Sequence, residues 1–216
     1  MVIAIDGPAG TGKSTIAGML AENLRGTDGQ PFTYINSGNL YRAITLGCLR
    51  AGIDPCDPEK ALDYAKTAPL AYLEGRLYLG DEMVEGLLHS DEVDRHVSPL
   101  SAIVPIRHVV NDCVRKIAAG LNAVVEGRDM TTVVFPQAEH RIYLDASIKE
   151  RARRRFEQGV SRLSLEEIEA AIAERDALDR NKAEGSLIIG EGVLYLDTSG
   201  LTLMQVYDTL LKRIQE

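Results

Sequence analysis

The eight residues Gly7-Pro8-Ala9-Gly10-Thr11-Gly12-Lys13-Ser14 restrict this chain more than any others. They follow an apolar run at residues 2–5 and precede a stretch that puts Ile16, Met19 and Leu20 on one helical face. A glycine-rich turn between a buried strand and a helix start lets backbone N–H groups face a phosphate, and the helix dipole favours the anion. Lys13 then reaches the β- and γ-phosphates, and the Ser14 hydroxyl is placed to hold Mg2+. A glycine-rich turn with an incidental lysine is the bland alternative, and the strand–turn–helix context argues against it.

Further short apolar runs, at 32–35, 123–125, 141–144 and 193–196, alternate with amphipathic stretches. Ile106, Val109, Val110, Cys113, Val114 and Ile117 follow helical spacing, as do Leu203, Val206, Tyr207, Leu210, Leu211 and Ile214. Thr202 with Gln205 and Ser164 with Glu167 are capping-box pairs. Strands alternating with helices predict an α/β fold, a parallel sheet flanked by helices with its ligand edge at the strand C-termini. Residues 70–84 break the alternation, with turn pairs at Glu74-Gly75 and Gly80-Asp81, and predict a small antiparallel meander outside the main sheet.

Composition narrows the function. The net charge of −8 disfavours a nucleic-acid binder. Cys48, Cys56 and Cys113 are odd in number and widely spaced, which argues against a disulfide framework or a zinc site. The first residues carry no basic n-region and no apolar run approaches 18 residues, so we expect no signal peptide, no membrane span and a cytoplasmic location. Charge is uneven: residues 50–96 are strongly acidic, whereas 149–182 hold over a third of all the basic side chains.

Three more segments carry candidate chemistry. Ser37-Gly38-Asn39-Leu40-Tyr41-Arg42 follows the second strand and predicts a small polar turn with a guanidinium one turn into a helix, suited to a phosphate dianion. Glu126-Gly127-Arg128-Asp129 ends the third strand, where its carboxylates suit a Mg2+ water or a base and its arginine a phosphate. Arg151, Arg154 and Arg155 share a helix face, as do Arg175, Asp179 and Lys182, with Gln158-Gly159-Val160-Ser161 between them as a hinge. The pair reads as a lid over triphosphate, or else as salt-bridged exposed helices. Asn181-Lys182-Ala183-Glu184 resembles a guanine-reading motif but follows a charged helical run, and its fourth residue is Glu, so a GTPase is disfavoured.

In this order the segments resemble bacterial cytidylate kinase, a nucleoside monophosphate kinase family, from Ile3 to about Ile214. The most telling stretches are residues 3–14, 37–42, 126–136, 142–147 with 150–155, and 174–181. The resemblance implies a single P-loop NTPase-type kinase domain: a core at about 1–50, 97–147 and 187–216, a monophosphate-side insert at about 52–96 and a helical lid at about 148–186. It implies ATP-dependent phosphorylation of CMP or dCMP, by a monomer with ATP and Mg2+ and with no nucleic-acid or membrane partner. It assigns ATP binding to Gly7, Pro8, Ala9, Gly10, Thr11, Gly12, Lys13, Ser14 and Thr15, with Ser14 on the metal. Catalysis falls to Lys13, Arg128, Arg154 and Arg175. Ser37, Tyr41, Arg42, Ser98, Arg107, Arg128, Asp129, Arg175, Asp179 and Lys182 address the substrate, with Ser98, Arg107 and Asp129 at the cytosine. The chain has Leu178 and Lys182 where the family often has Arg, Thr131 where Gly is usual, and Asn39 where Ala or a similar residue is usual. The competing readings are a kinase for UMP, AMP or shikimate, and a P-loop regulatory protein that transfers no phosphoryl group.

Overall fold

The computed structural model describes residues 1–73, 75–159 and 163–215. Its first half runs β1 (Val2–Asp6), α1 (Lys13–Asn23), β2 (Phe32–Asn36), α2 (Ser37–Arg50), α3 (Pro58–Thr67), β3 (Leu70–Leu73), β4 (Arg76–Leu79), β5 (Glu82–Met83) and α4 (Asp91–Leu100). The second half runs α5 (Val104–Ala118), β6 (Asn122–Gly127), a π-helical turn (Met130–Val134), β7 (His140–Asp145), α6 (Ile148–Glu157), α7 (Leu165–Arg180), β8 (Leu194–Asp197) and α8 (Leu203–Gln215). The chain divides into two compact units: Met1–Tyr34 with Gly120–Glu216, and Ile35–Ala119.

The first unit is built on a sheet of order β2-β6-β1-β7-β8, in which β1 pairs in parallel with β6 and β7, and β7 with β8. The expected α/β class is therefore observed. All five expected main-sheet strands are present; four run one to three residues longer and the last is shifted by one. Ile3, Ile5, Val124, Ile142 and Leu144 project from the strands into one cluster with Ile16 and Leu20 of α1 and Val206 and Leu210 of α8. β1 and β6 are buried almost throughout, as a parallel sheet covered on both faces requires. The edge strand β8 is not the buried strand expected at 193–196, since Tyr195 is 46% exposed. From β1 the chain passes outward to β2, and later strands fill the other side at β7 and β8. The switch in direction lies beside β1, and its carboxyl end is where open α/β sheets bind ligands.

Helix ends follow the sequence signals. Ser164 accepts from the Glu167 backbone N–H at 3.2 Å while the Glu167 carboxylate accepts from the Ser164 N–H at 2.7 Å, and Thr202 and Gln205 make the same reciprocal pair. α2 departs from expectation. It begins at Ser37 with no intervening turn, because the Asn36 side chain at the end of β2 accepts from the Asn39 N–H and caps the helix itself.

In the second unit α2 packs against α3, α4 and α5. The meander is present as the antiparallel sheet β3-β4-β5, separate from the main sheet, with Leu70 opposite Leu79 and Tyr78 opposite Met83. Its second turn lies at Gly80-Asp81, whereas Glu74 of the first turn pair is outside the described residues.

Gly7, the first residue after β1, has φ +146°, and a Cβ there would lie 2.0 Å from the Leu144 carbonyl oxygen on β7. No side chain fits between these backbones. Gly7→Ala is expected to lower unfolding free energy by about 2 kcal/mol or more in urea titrations. A variant as stable as the parent contradicts this close approach.

Candidate functional site

The glycine-rich loop leaves the carboxyl end of β1 and closes on α1, whose N-cap is Gly12. No side chain caps this helix and no acidic residue occupies its first turn. Its leading N–H groups and positive dipole end therefore meet no carboxylate of their own helix, the condition under which a helix start attracts an anion. Lys13 is buried, and its ammonium donates to the Pro8 carbonyl at 2.7 Å and to the Thr11 hydroxyl at 3.5 Å. Burial, aided by the neighbouring Arg128 charge, pulls its pKa down to about 7. An anion beside it would restore the full positive charge. Ser14 and Thr15 are exposed at the head of α1.

Next to this loop, Asp6 is fully buried and accepts from the Met130 N–H at 2.8 Å and from the Thr131 N–H and hydroxyl at 2.7 Å each. Burial pushes its pKa up to about 6 against the opposing pull of those hydrogen bonds. The buried Glu126 on β6 accepts from the Tyr34 hydroxyl. Asp129 is buried where β6 gives way to the π-helical turn, and its carbonyl accepts from the Val133 and Val134 N–H groups.

Arg128 donates from Nε to Asp179 Oδ2 at 2.8 Å, and Lys182 donates to Asp179 Oδ1 at 2.7 Å. α7 ends at Arg180, so Lys182 lies beyond the helix rather than on its face, yet its ammonium turns back to Asp179. Burial would raise the Asp179 pKa, but the two cations outweigh it and hold the carboxyl well below the usual carboxylate range. Arg175 is half-buried on the same helix.

The arginines of α6 do not share one environment as their spacing predicts. Arg151 is buried, Arg154 is half-buried and Arg155 is exposed. Arg154 donates to the Thr198 carbonyl at 2.6 Å, to its hydroxyl at 3.1 Å and to Glu150 at 2.9 Å. Arg153 pairs with Glu150 and Glu157 on the outer surface, as the salt-bridge reading expects. Of the expected hinge, Val160 and Ser161 lie outside the described residues.

The remaining candidates belong to the second unit. Ser37 and Tyr41 are buried on α2, and the Arg107 guanidinium lies 5.8 Å from the Tyr41 ring centre. Arg107 donates to the Ser101 carbonyl at 2.9 Å, and the Ser101 hydroxyl donates to the carbonyl of the half-buried Ser98. Arg42 donates to the Leu88 carbonyl at 3.0 Å and to Asp94 at 2.6 Å.

Sequence reasoning missed Asp6, Thr198 and the Arg151–Asp176 pair. Asp6 left one faint signal, a carboxylate closing an apolar strand beside the glycine-rich motif. The other contacts join residues 25 to 187 positions apart, and no periodicity marks them.

Comparison with known proteins agrees with this architecture. The family model described as cytidylate kinase matches residues 3–216. Cytidylate kinase 1 of Borreliella afzelii is 40% identical over 218 residues, covering 99% of this chain and 96% of that protein. Cytidylate kinase of Caldanaerobacter subterraneus is 39% identical, covering 99% and 94%. A solved structure of a protein from Eubacterium ventriosum is similar with TM-score 0.53 at 12% identity, covering 100% of this chain and 99% of that one.

The buried Asp179 generates a pH prediction. A carboxyl whose pKa is depressed on folding stabilises fully above its unfolded value, about 3.9, and that contribution fades as pH falls below it. Asp179→Ala leaves Arg128 and Lys182 without their carboxylate and is expected to cost about 3 kcal/mol at pH 7. The gap to the parent in urea unfolding should narrow as pH is lowered from 5 towards 3. A gap of constant size over that range contradicts the ion-pair assignment.

Proposed function

The chain belongs to the cytidylate kinase family, and we propose that it transfers the γ-phosphoryl group of ATP to CMP and dCMP, giving CDP or dCDP. The observation that carries the donor half is the buried Lys13 ammonium inside a glycine-rich loop at the carboxyl end of β1, folded onto the loop's own Pro8 carbonyl. A triphosphate offers that ammonium stronger acceptors than a carbonyl. Gly7, Pro8, Ala9, Gly10, Thr11, Gly12, Lys13, Ser14 and Thr15 bind ATP in this reading.

The residues fit Mg2+. Among the described residues no group of three or more His, Cys, Asp or Glu is placed to hold a metal. Mg2+ rarely takes an all-protein cage; it keeps water and substrate phosphate oxygens and needs few protein ligands. The exposed Ser14 hydroxyl next to Lys13 supplies one such ligand. When bound, the ion neutralises phosphate charge.

Phosphoryl transfer asks the protein chiefly to position two phosphates and offset their repulsion. In this proposal Lys13, Arg128, Arg154 and Arg175 face the charge that builds on the moving group. Tyr41 and Arg42 address the acceptor phosphate with Ser37, while Arg175, Asp179 and Lys182 act at the ribose and phosphates. A phosphate monoester has its second pKa near ~6, so the acceptor is already a dianion at neutral pH and no general base is needed. α6 and α7 serve as the lid, which excludes water when closed and suppresses wasteful hydrolysis. Within this reading the enzyme is a cytoplasmic monomer acting on small molecules, with no nucleic-acid or membrane partner. Among the described residues no helix is long and apolar enough to cross a membrane.

Cytosine is told from uracil by Ser98, Arg107 and Asp129. Cytosine presents an N4 amino donor beside an N3 acceptor, while uracil presents O4 and N3–H. An ionised carboxylate only accepts and a guanidinium only donates. Asp129 at N4 with Arg107 at N3 or O2 therefore matches cytosine and leaves uracil facing two mismatched buried charges. Asp129→Ala is expected to lower kcat/KM for CMP about a hundredfold or more, with a much smaller loss for UMP. Equal losses for both substrates would remove Asp129 from base reading.

A further inference from the structure

Arg151 has no role in the reaction just described, yet it donates to the backbone of the glycine-rich loop at Ala9 and to a carboxylate of α7. Its side chain is 2% exposed and that of Asp176 is 3% exposed. The guanidinium donates from Nε to the Ala146 carbonyl at 2.9 Å and from one terminal nitrogen to the Ala9 carbonyl at 3.0 Å. That nitrogen also reaches Asp176 Oδ1 at 3.1 Å, and the other terminal nitrogen reaches Oδ2 at 2.5 Å. Its aliphatic stem lies under the loop: a Cβ on Gly10 would come within 3.1 Å of the Arg151 Cβ. One side chain on α6 therefore binds the loop backbone at Ala9, packs beneath Gly10 and holds α7 by a two-pronged ion pair.

Stability alone does not explain this choice. A buried ion pair regains little beyond the desolvation of its two charges, and apolar side chains of similar volume often replace it at no net loss. An apolar pair cannot donate to the Ala9 carbonyl. The partner's place on α7 also matters: Asp176 follows Arg175 directly and precedes Asp179, which holds Arg128, by one turn.

We propose that Arg151 is a positioning residue for the phosphoryl donor: it fixes the phosphate-loop backbone through Ala9 and, through Asp176, fixes the station of Arg175 and Asp179 relative to that loop. The inference rests on the assignment of residues 7–15 to ATP. A lysine at this position keeps the charge but has no planar fork, so it cannot hold Asp176 by two points and donate to Ala9 as well.

The test compares the parent with R151K and the apolar double variant R151M/D176M. Each is measured for Tm, for ATP affinity by titration calorimetry without acceptor, and for kcat and KM with CMP. Both variants are expected to keep a Tm near that of the parent, to bind ATP about tenfold more weakly and to lose kcat at least tenfold, with KM for CMP changed less than twofold. Parental ATP affinity and kcat in either folded variant would overturn the proposal. So would loss of folding in both, which assigns the pair to stability alone. The parent in the same assay reports separately on the kinase reading: a folded parent that binds ATP but does not turn over CMP fails that reading and leaves the binding comparison to judge Arg151.

Discussion

The site depends first on one buried carboxylate. Asp6 is the last residue of β1, and the glycine-rich loop starts one residue later. Its oxygens hold the Met130 and Thr131 N–H groups, so the turn that follows Arg128 and Asp129 is tied to the strand that launches the loop. The sheet makes the same connection by setting Asp6 opposite Gly127 in the parallel ladder. Ionised, a fully buried carboxyl is costly unless donors surround it, and three are present here. The third is the hydroxyl of Thr131, at a position where the resemblance leads one to expect glycine. This chain therefore braces Asp6 with a hydrogen bond that a glycine cannot make.

A second layer of constraint comes from α7, which carries two buried carboxylates three residues apart. Asp176 engages Arg151, and Asp179 engages Arg128 and Lys182. The near balance of acids and bases in 149–182 thus resolves into two populations. Arg153 with Glu150 and Glu157 is solvated and contributes little to stability. The buried pairs join α6 to α7, α6 to the glycine-rich loop at Ala9 and α7 to Arg128 after β6. Lys182, where the resemblance leads one to expect Arg, still reaches one Asp179 oxygen while Arg128 holds the other. Leu178 is 53% exposed, and nothing in the structure explains why it replaces a cation there.

What could be read from the sequence was what local spacing determines. The strands, the apolar faces of α5 and α8, both capping boxes and the meander follow from residues within a few positions of one another. The glycine-rich loop belongs to the same class, since its motif lies in eight consecutive residues. The supporting contacts were not readable. Asp6 meets Thr131 across 125 positions and Arg154 meets Thr198 across 44, pairings that exist only once the strand order is known. Spacing also misled at α6, where Arg151, Arg154 and Arg155 share a nominal face, but the first lies under the loop and the last in solvent. At the end of α7 the helical period was carried past Arg180, where the chain leaves the helix.

The central claim is that the glycine-rich loop donates a phosphoryl group to a cytidine monophosphate, and coupled ADP release by the unmodified protein tests it most directly. With ATP and Mg2+ present, release is expected to be fast with CMP or dCMP, far slower with UMP or AMP and near background without an acceptor. Release that is equally slow with every acceptor would contradict the account and favour a nucleotide-binding regulatory protein, and release driven best by UMP or AMP would contradict the proposed reading of cytosine.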